Sequence, residues 1–264
     1  MLGGLLIMVI LAIAGSMSKK FEHRTKLDKV DHLILQSDFS DIQLVGNKSE
    51  FSIELHGKKS LFSKPLVQVS YEGDKAYINI NILNKGWKKY LPGRKNKAKL
   101  VVNIPSRMLD SIELKNQNGN IDIGNMSEMS RLSIHSLVGN IGLSSFQGEL
   151  LSIKSNNGSL SIGKVNAQVN IDNKVGGIKS LELLSVQGAN HISISNGNVH
   201  LQLPKGVYTS DIGLDFITKN GTITSNESGL SYNKKGPGME LVREGLNANS
   251  TLNISVSVGN IKME

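Results

Sequence analysis

The stretch NQNGNIDIGNM, residues 116–126, sets an Asn-Gly pair ahead of alternating apolar residues. Close copies recur as NNGSLSIGKV at 156–165, SNGNVHLQLP at 195–204 and SVGNIKME at 257–264. Three structures can produce such a string: a phosphate-gripping glycine loop, a set of hairpin turns, or the corner of a repeating coil. A phosphate loop needs a helix after the glycine, so that amide groups point at the anion. Here a strand-like alternation follows each glycine instead. Asn-Gly is also the strongest two-residue hairpin signal, so a meander of antiparallel hairpins competes with the coil.

The period separates these two readings. The turn glycines Gly119, Gly139, Gly158, Gly176, Gly197, Gly221 and Gly259 lie 20, 19, 18, 21, 24 and 38 residues apart, the last read as two periods. Independent hairpins have no reason to keep their outer loops equal, whereas stacked coils must. Residues seven and five before the glycine, and two and four after it, are mostly apolar. The first copy supplies Ile112, Leu114, Ile121 and Ile123; the second Leu132, Ile134, Ile141 and Leu143; the third Leu151, Ile153, Leu160 and Ile162; the last Leu252, Ile254, Ile261 and Met263. Asn190, Ser180 and Ser225 break the rule. Between the apolar positions stand Asn120, Asp122, Ser133, His135, Ser152 and Lys154. This is the period-two pattern of strands buried on one face. Glycine permits the positive φ of a tight corner, and the Asn before it (Asn118, Asn157, Asn196, Asn220) also tolerates left-handed geometry. The expected fold is all-β: a single-stranded β-solenoid, or β-helix, with about 19–20 residues per coil sharing one core of Ile, Leu and Val.

Composition agrees with that reading. The chain has 264 residues, 39% of them apolar, with 27 Gly, 5 Pro and 5% aromatics. This suits many short strands joined by tight turns rather than long helices. The absence of cysteine excludes disulfides, thiolate metal sites, a cysteine nucleophile and a lipid-modified cysteine. A formal charge of +8 favours anionic partners such as phosphate polymers or lipid headgroups.

MLGGLLIMVILAIAGSM, residues 1–17, carries no charged side chain, and Lys19, Lys20, Arg24 and Lys26 follow at once. As a helix its apolar run spans roughly 24 Å, between a signal-peptide core and a full membrane span. Ala12 and Ala14 before Gly15 resemble a cleavage site, but the positive n-region of a signal peptide is missing. The expected organisation is a membrane anchor or signal-like segment at 1–17, a basic juxtamembrane linker at 18–29 and a solenoid domain at 30–264. Irregular opening coils occupy 30–105 and regular coils 106–264. The positive-inside rule would keep the domain in the cytoplasm. The domain itself reads as extracytoplasmic, so the expectation is a single-pass cell-membrane protein with its domain outside.

The front half reads as strands without the regular pulse: VDHLILQSDFSDIQLVG (30–46), FSIELHG (51–57), LVQVSYEG (66–73), KAYINI (75–80) and KLVVNIP (99–105). An LILQSDFSDIQLVG opening, then LVVNIP, then NGNIDI-like coils behind a short membrane segment resembles the putative-adhesin β-strand-repeat family of unknown function. That family includes LiaG-like proteins of the bacterial envelope-stress response, and the resemblance covers about residues 28–264. It implies a β-solenoid tethered at the bacterial membrane and facing outward, with no established catalytic residues. The stretch GLSYNKKGPGMELVREG, 229–245, interrupts the coils and is expected to form a protruding hairpin loop.

Chemistry-bearing patterns are sparse along the chain. His23, His32, His56, His135, His191 and His200 show no ligand spacing and read as surface strand residues. No serine nucleophile elbow and no calcium-binding nonapeptide appear, and no cofactor motif stands out. Carboxylates such as Asp41, Asp122 and Asp172 can still meet across coils, as in solenoid polysaccharide-cleaving enzymes. One Trp and five Tyr, however, make a thin platform for sugars.

The richest local feature is NKGWKKYLPGRKNKAK, 84–99, where Lys85, Lys88, Lys89, Arg94, Lys95, Lys97 and Lys99 flank Trp87 and Tyr90. A basic loop with interfacial aromatics suits anionic lipid or polymer, and its plainer reading is a solvated hairpin tip. Nucleic acid is disfavoured, because the basic residues do not line up with stacking aromatics along successive strands. Lys262 and Glu264 look like edge protection for a final strand at Ile261. The expected function is a non-enzymatic, membrane-anchored surface for envelope interaction, in stress response or adhesion. A binding module for anionic envelope polymers or lipids through loop 84–99 is the alternative, and a carbohydrate-active β-helix enzyme a distant one.

Overall fold

Burial alternates along almost every strand of the computed structural model, which describes residues 18–60, 63–84, 98–106, 109–208, 210–227, 230–245 and 250–264. The expected membrane segment 1–17 lies outside these residues, as do Lys85, Trp87, Lys88, Lys89, Tyr90, Arg94, Lys95 and Lys97. Among the described residues there is no helix, and the strands form one continuous 21-stranded sheet. In chain order they are β1 (Ser18–Lys26), β2 (His32–Ser37), β3 (Ser40–Lys48), β4 (Ser52–Ser60), β5 (Ser63–Glu72), β6 (Lys75–Asn84) and β7 (Ala98–Pro105). Next come β8 (Ser111–Asn118), β9 (Ile121–Met126), β10 (Arg131–Val138), β11 (Ile141–Asn157), β12 (Leu160–Val175), β13 (Ile178–Leu183), β14 (Ala189–Asn196) and β15 (Val199–Leu201). The last are β16 (Gly213–Asn220), β17 (Ile223–Ser225), β18 (Asn233–Lys235), β19 (Gly238–Arg243), β20 (Thr251–Val258) and β21 (Ile261–Met263).

Pairs of these strands make rungs of a solenoid-like stack, each bent at a glycine corner into two faces. On the first face β6, β2, β8, β10, the end of β11, the end of β12, β14, β20 and β16 pair in parallel. On the second, β7, β3, β9, the start of β11, the start of β12, β13, β15, β21 and β17 do the same. Register stacks like on like. Ile78, Leu35, Leu114, Ile134, Ile153, Ile171, Ile192, Ile254 and Phe216 form one buried column, each the neighbour of the next. No single rung can bury its apolar side alone, so the core exists only between rungs.

The corner explains the glycines. Gly119, Gly139, Gly158, Gly176, Gly197, Gly259 and Gly221 all have positive φ and stack in that spatial order. A Cβ on Gly139 would lie 2.0 Å from the Gly119 carbonyl oxygen, and one on Gly259 equally close to that of Gly197. Polar side chains tie down the same corner from inside. Asn116 Nδ2 donates to the carbonyls of Ser40 and Gly119 at 3.1 Å each, and Asn173 Nδ2 to those of Gly158 (3.0 Å) and Gly176 (2.6 Å). On the outside, Asp41 Oδ1 accepts from Asn120 N, Asn120 Oδ1 from Asn140 N, and Asn140 Oδ1 from Ser159 N. Each rung's side chain thus holds the backbone of the next.

The rungs do not stack in chain order at either end. The rung β2–β3 lies inside the rung β6–β7, and the final rung β20–β21 lies between β14–β15 and β16–β17. The 38-residue glycine gap is therefore no skipped period. The chain leaves the stack after Ser225, makes a ribbon and returns one rung inward. Three expectations are corrected by this. Residues 229–245 do not protrude as a free hairpin, since β19 pairs antiparallel with β16 and caps the stack. Ile261 is no edge, since β21 is paired on both sides, so Lys262 and Glu264 guard nothing. Residues 18–29 are not all linker, because β1 pairs antiparallel with β4 along its whole length.

The three departures from the apolar rule also have local causes. Ser180 faces solvent because a register shift in β13 hands its core position to Leu181. Asn190 stays buried because its Oδ1 accepts from Val169 N and its Nδ2 lies within reach of three carbonyls, those of Gln187, Gly188 and Thr251. Ser225 ends the outermost rung, where its Oγ meets Tyr208 at 3.4 Å.

Candidate functional site

The stack sets the candidate carboxylates Asp41, Asp122 and Asp172 on different rungs. Asp41 stands opposite Lys99, Asp122 opposite Gln43 and Gly142, and Asp172 on the other face opposite Lys154 and Ser193. Of the histidines, His32 has its Nδ1 2.7 Å from Ser111 Oγ and its Nε2 3.4 Å from Asp74, a Ser-His-Asp contact chain at the surface, whereas His135 sits between Lys115 and Lys154, and His191 between Asn170 and Asn253. Among the described residues no group of His, Asp or Glu is placed to hold a metal ion.

Two polar surfaces remain, one at each end. At the end carrying β1, the register sets two exposed like charges across from each other, Lys20 opposite Lys58. Such apposition is unfavourable in an antiparallel pair. Arg24 and Lys26 further along β1 have acidic neighbours, with Arg24 3.3 Å from Glu50 and 3.6 Å from Glu54, and Lys26 3.3 Å from Glu50. Lys20 and Lys58, both exposed, have no such ion pair among the described residues. The same corner receives the basic loop. Ala98, where the chain returns from residues 85–97, pairs with Gly57, and the next residues of β4 are the lysines that face β1. Asn84, where the loop departs, pairs with Ser63 at the matching end of β5. Lys99, the described member of the basic loop, is exposed between Asp41 and His56.

At the other end lies a recess of about 660 Å³, open on the outer side of the second face. The register of β13, β15, β21 and β17 places Lys179, His200, Lys262 and Thr224 side by side on successive rungs. Each is the third residue after its corner glycine, a position the sequence offered without showing that rungs 200 and 262 are neighbours. Asn198 and Asn260 form the near wall. Asn198 Oδ1 accepts from Asn260 N at 2.8 Å, and Asn260 Oδ1 accepts from Thr222 N at 2.8 Å and Thr222 Oγ1 at 3.0 Å. With both carbonyl oxygens committed to the neighbouring rung, the amide Nδ2 groups are left for the recess. Lys262 pairs with Glu264, and that hydrogen bond, reinforced by the lysine charge, holds the Glu264 carboxyl below its ordinary range. His200 Nε2 lies 3.5 Å from the same carboxylate, buried and without a hydrogen-bond partner. A second recess of about 200 Å³ continues past Lys179 and His200 towards Glu182 and Glu264. The result is a trough, rich in donors at one end and acidic at the other.

Comparison with known proteins gives a family and distant structural likenesses. The Toastrack DUF4097 family matches residues 30–264. No curated protein sequence matches the chain. A putative adhesin from Bacteroides fragilis is 16% identical, the match covering 93% of this chain and 97% of that one, with a TM-score of 0.49. A putative cell adhesion protein from Clostridium sporogenes is 15% identical over 93% of this chain and 100% of its own, at a TM-score of 0.42. A putative lipid binding protein from Parabacteroides distasonis is 10% identical over 93% and 97%, at 0.38.

Proposed function

The chain belongs to the Toastrack DUF4097 family, and from that premise we propose that it is a non-enzymatic interaction module of the bacterial cell envelope. Residues 1–17 anchor it in the membrane, and the stack of rungs stands outside the cytoplasm as a surface for adhesion or envelope-stress signalling. The observation that supports this reading is the convergence at one corner. The uncharged segment 1–17 precedes β1, the like-charged pair of Lys20 and Lys58 lies near the start of that strand, and the ends of the basic loop stand beside it. An apolar segment followed by exposed lysines suits an anionic bilayer surface, where each basic residue is worth about 1 kcal/mol. The bilayer also relieves the repulsion that the register builds in.

That corner favours a second reading, in which Lys85, Lys88, Lys89, Arg94, Lys95 and Lys97 grip anionic lipid or polymer directly. Lys58→Glu separates folding from function, because it replaces a repulsive pair by an attractive one. Stability should hold or rise by a few tenths of a kcal/mol, while flotation with vesicles rich in anionic lipid should weaken relative to neutral vesicles. Equal flotation of both proteins would count against a membrane-facing corner. Protease treatment of intact cells tests the placement: digestion of residues 30–264 is expected, and their protection would put the domain inside.

A further inference from the structure

We infer that the trough between β13 and β17 is a binding site for an acidic polysaccharide, engaged through Lys179, His200, Lys262 and the amides of Asn198 and Asn260. The inference rests on the reading above of a membrane-tethered module and gives it a ligand.

The donor inventory comes first. Asn198 and Asn260 have spent their acceptor oxygens on the rung-to-rung ladder, so what they offer is N–H. Lys179 has no ion pair among the described residues, and Lys262 shares Glu264 with His200. A wall of donors recognises acceptors, and the best acceptors are ionised oxygens. Thr222 and Thr224 add hydroxyl contacts of the kind that sugar hydroxyls exchange.

Shape and position then choose among anions. The main recess is open and runs on into the second one past Lys179 and His200, so it accommodates a chain rather than enclosing a single small ion. Six strand steps separate β7 at the basic corner from β15, about 29 Å at about 4.8 Å per step. With the bilayer at that corner, as the reading above has it, the trough stands away from the headgroups, which favours a polymer. Among the described residues no aromatic side chain lines the main recess, and its apolar lining is confined to Ile178 and Val199 at its floor, both almost fully buried, which gives an acidic peptide little apolar surface to grip. The acidic end, Glu182 and Glu264, fixes direction, because a polyanion is attracted over Lys179 and repelled beyond it.

The test uses the full chain in detergent with three probes: polygalacturonate, neutral dextran and polyglutamate. Polygalacturonate alone should bind. Lys179→Glu should weaken it about tenfold, because an attractive charge becomes a repulsive one, and Lys179→Arg should preserve it. Asn198→Asp keeps the oxygen that Asn260 N needs, so the ladder survives, yet it should weaken binding similarly by replacing a donor with a charge. Dextran binding as strong as polygalacturonate, polyglutamate binding as strong, or indifference to both Lys179→Glu and Asn198→Asp would overturn the inference. Vesicle flotation of the same preparations keeps the two readings apart: a chain that floats normally but ignores polygalacturonate refutes the trough and leaves the membrane corner standing.

Discussion

The middle of the stack and its two ends are built from the same rung but assembled differently. From β8 to β15 each rung lies on the one before it in the chain, and the stacking partner is always the nearest in sequence. At both ends the chain overshoots, lays down an outer rung, and keeps its own terminal rung one layer inside. The outer rungs are then flanked by antiparallel strands, β4 with β1 and β5 at one end, β19 with β18 beside β16 at the other, where among the described strands β17 pairs with β21 alone. The difference shows how a stack with open edges can avoid pairing with other molecules. Apart from the three-residue β17, its exposed edges are ribbons running against the rungs, and its last strand is pinned between two neighbours.

The largest effect expected from breaking this contrast lies in the middle. Gly139→Ala puts a methyl 2.0 Å from the Gly119 carbonyl oxygen at a φ of 142°, so the rungs must part. Urea unfolding should show a loss of about 3–5 kcal/mol. Gly73→Ala at the β5–β6 turn has a φ of 59° but open space around it, and should cost about 1–2 kcal/mol. Next is Ile254→Ala in the intercalated rung, expected to cost about 3 kcal/mol. Its signature is regional: hydrogen exchange should accelerate through 213–225 and 251–263 while 111–173 stays protected, as nearest-neighbour stacking requires.

Smaller effects sharpen the comparison inside the corner. Asn173→Ala strips two carbonyls of their donor and should cost about 2 kcal/mol. Ser155→Ala, one rung away in the same buried column, removes a hydroxyl that has no partner and should be neutral or slightly stabilising by thermal melting. The smallest effect is a pH dependence at the C-terminal end. Burial pushes the phenol pKa values of Tyr208 and Tyr232 above the ordinary tyrosine value. The folded state therefore holds those protons more tightly than the unfolded chain. Their contribution is intact below the ordinary tyrosine value and is lost as pH rises past it. Exchange at 207–232 should quicken above about pH 10 before the middle responds, and Tyr208→Phe should blunt that change.

Much of the architecture was legible because burial on one face and a glycine corner impose a period on the letters themselves. The columns through Ile134 and Ile153, or Ile141 and Leu160, follow from counting. Rung order was not legible by counting, because a rung of the right composition fits anywhere in the stack. One trace of it was present. The residue before each corner glycine reads Asn118, Val138, Asn157, Val175, Asn196, Val258, Asn220 in spatial order, a strict alternation that chain order breaks at Asn196 and Asn220. The trough was hidden for the same reason, since His200 and Lys262 become neighbours only through the intercalation. Asn190 was unreadable for another: its burial depends on carbonyls of the 187–188 turn and of Thr251, which no local pattern announces.

The intercalated last rung carries the architecture of the C-terminal end and the trough with it. The chain has no native cysteine, so engineered pairs report geometry without interference. Ser193 and Ser255 are Cα partners on adjacent strands, whereas Ile217 holds the same place one rung further out. Mild oxidation of a Ser193→Cys, Ser255→Cys protein should form an intramolecular disulfide that leaves the melting temperature intact or raised, and a Ser193→Cys, Ile217→Cys protein should form none. The reverse pattern, with 193 joined readily to 217 and not to 255, would contradict the account.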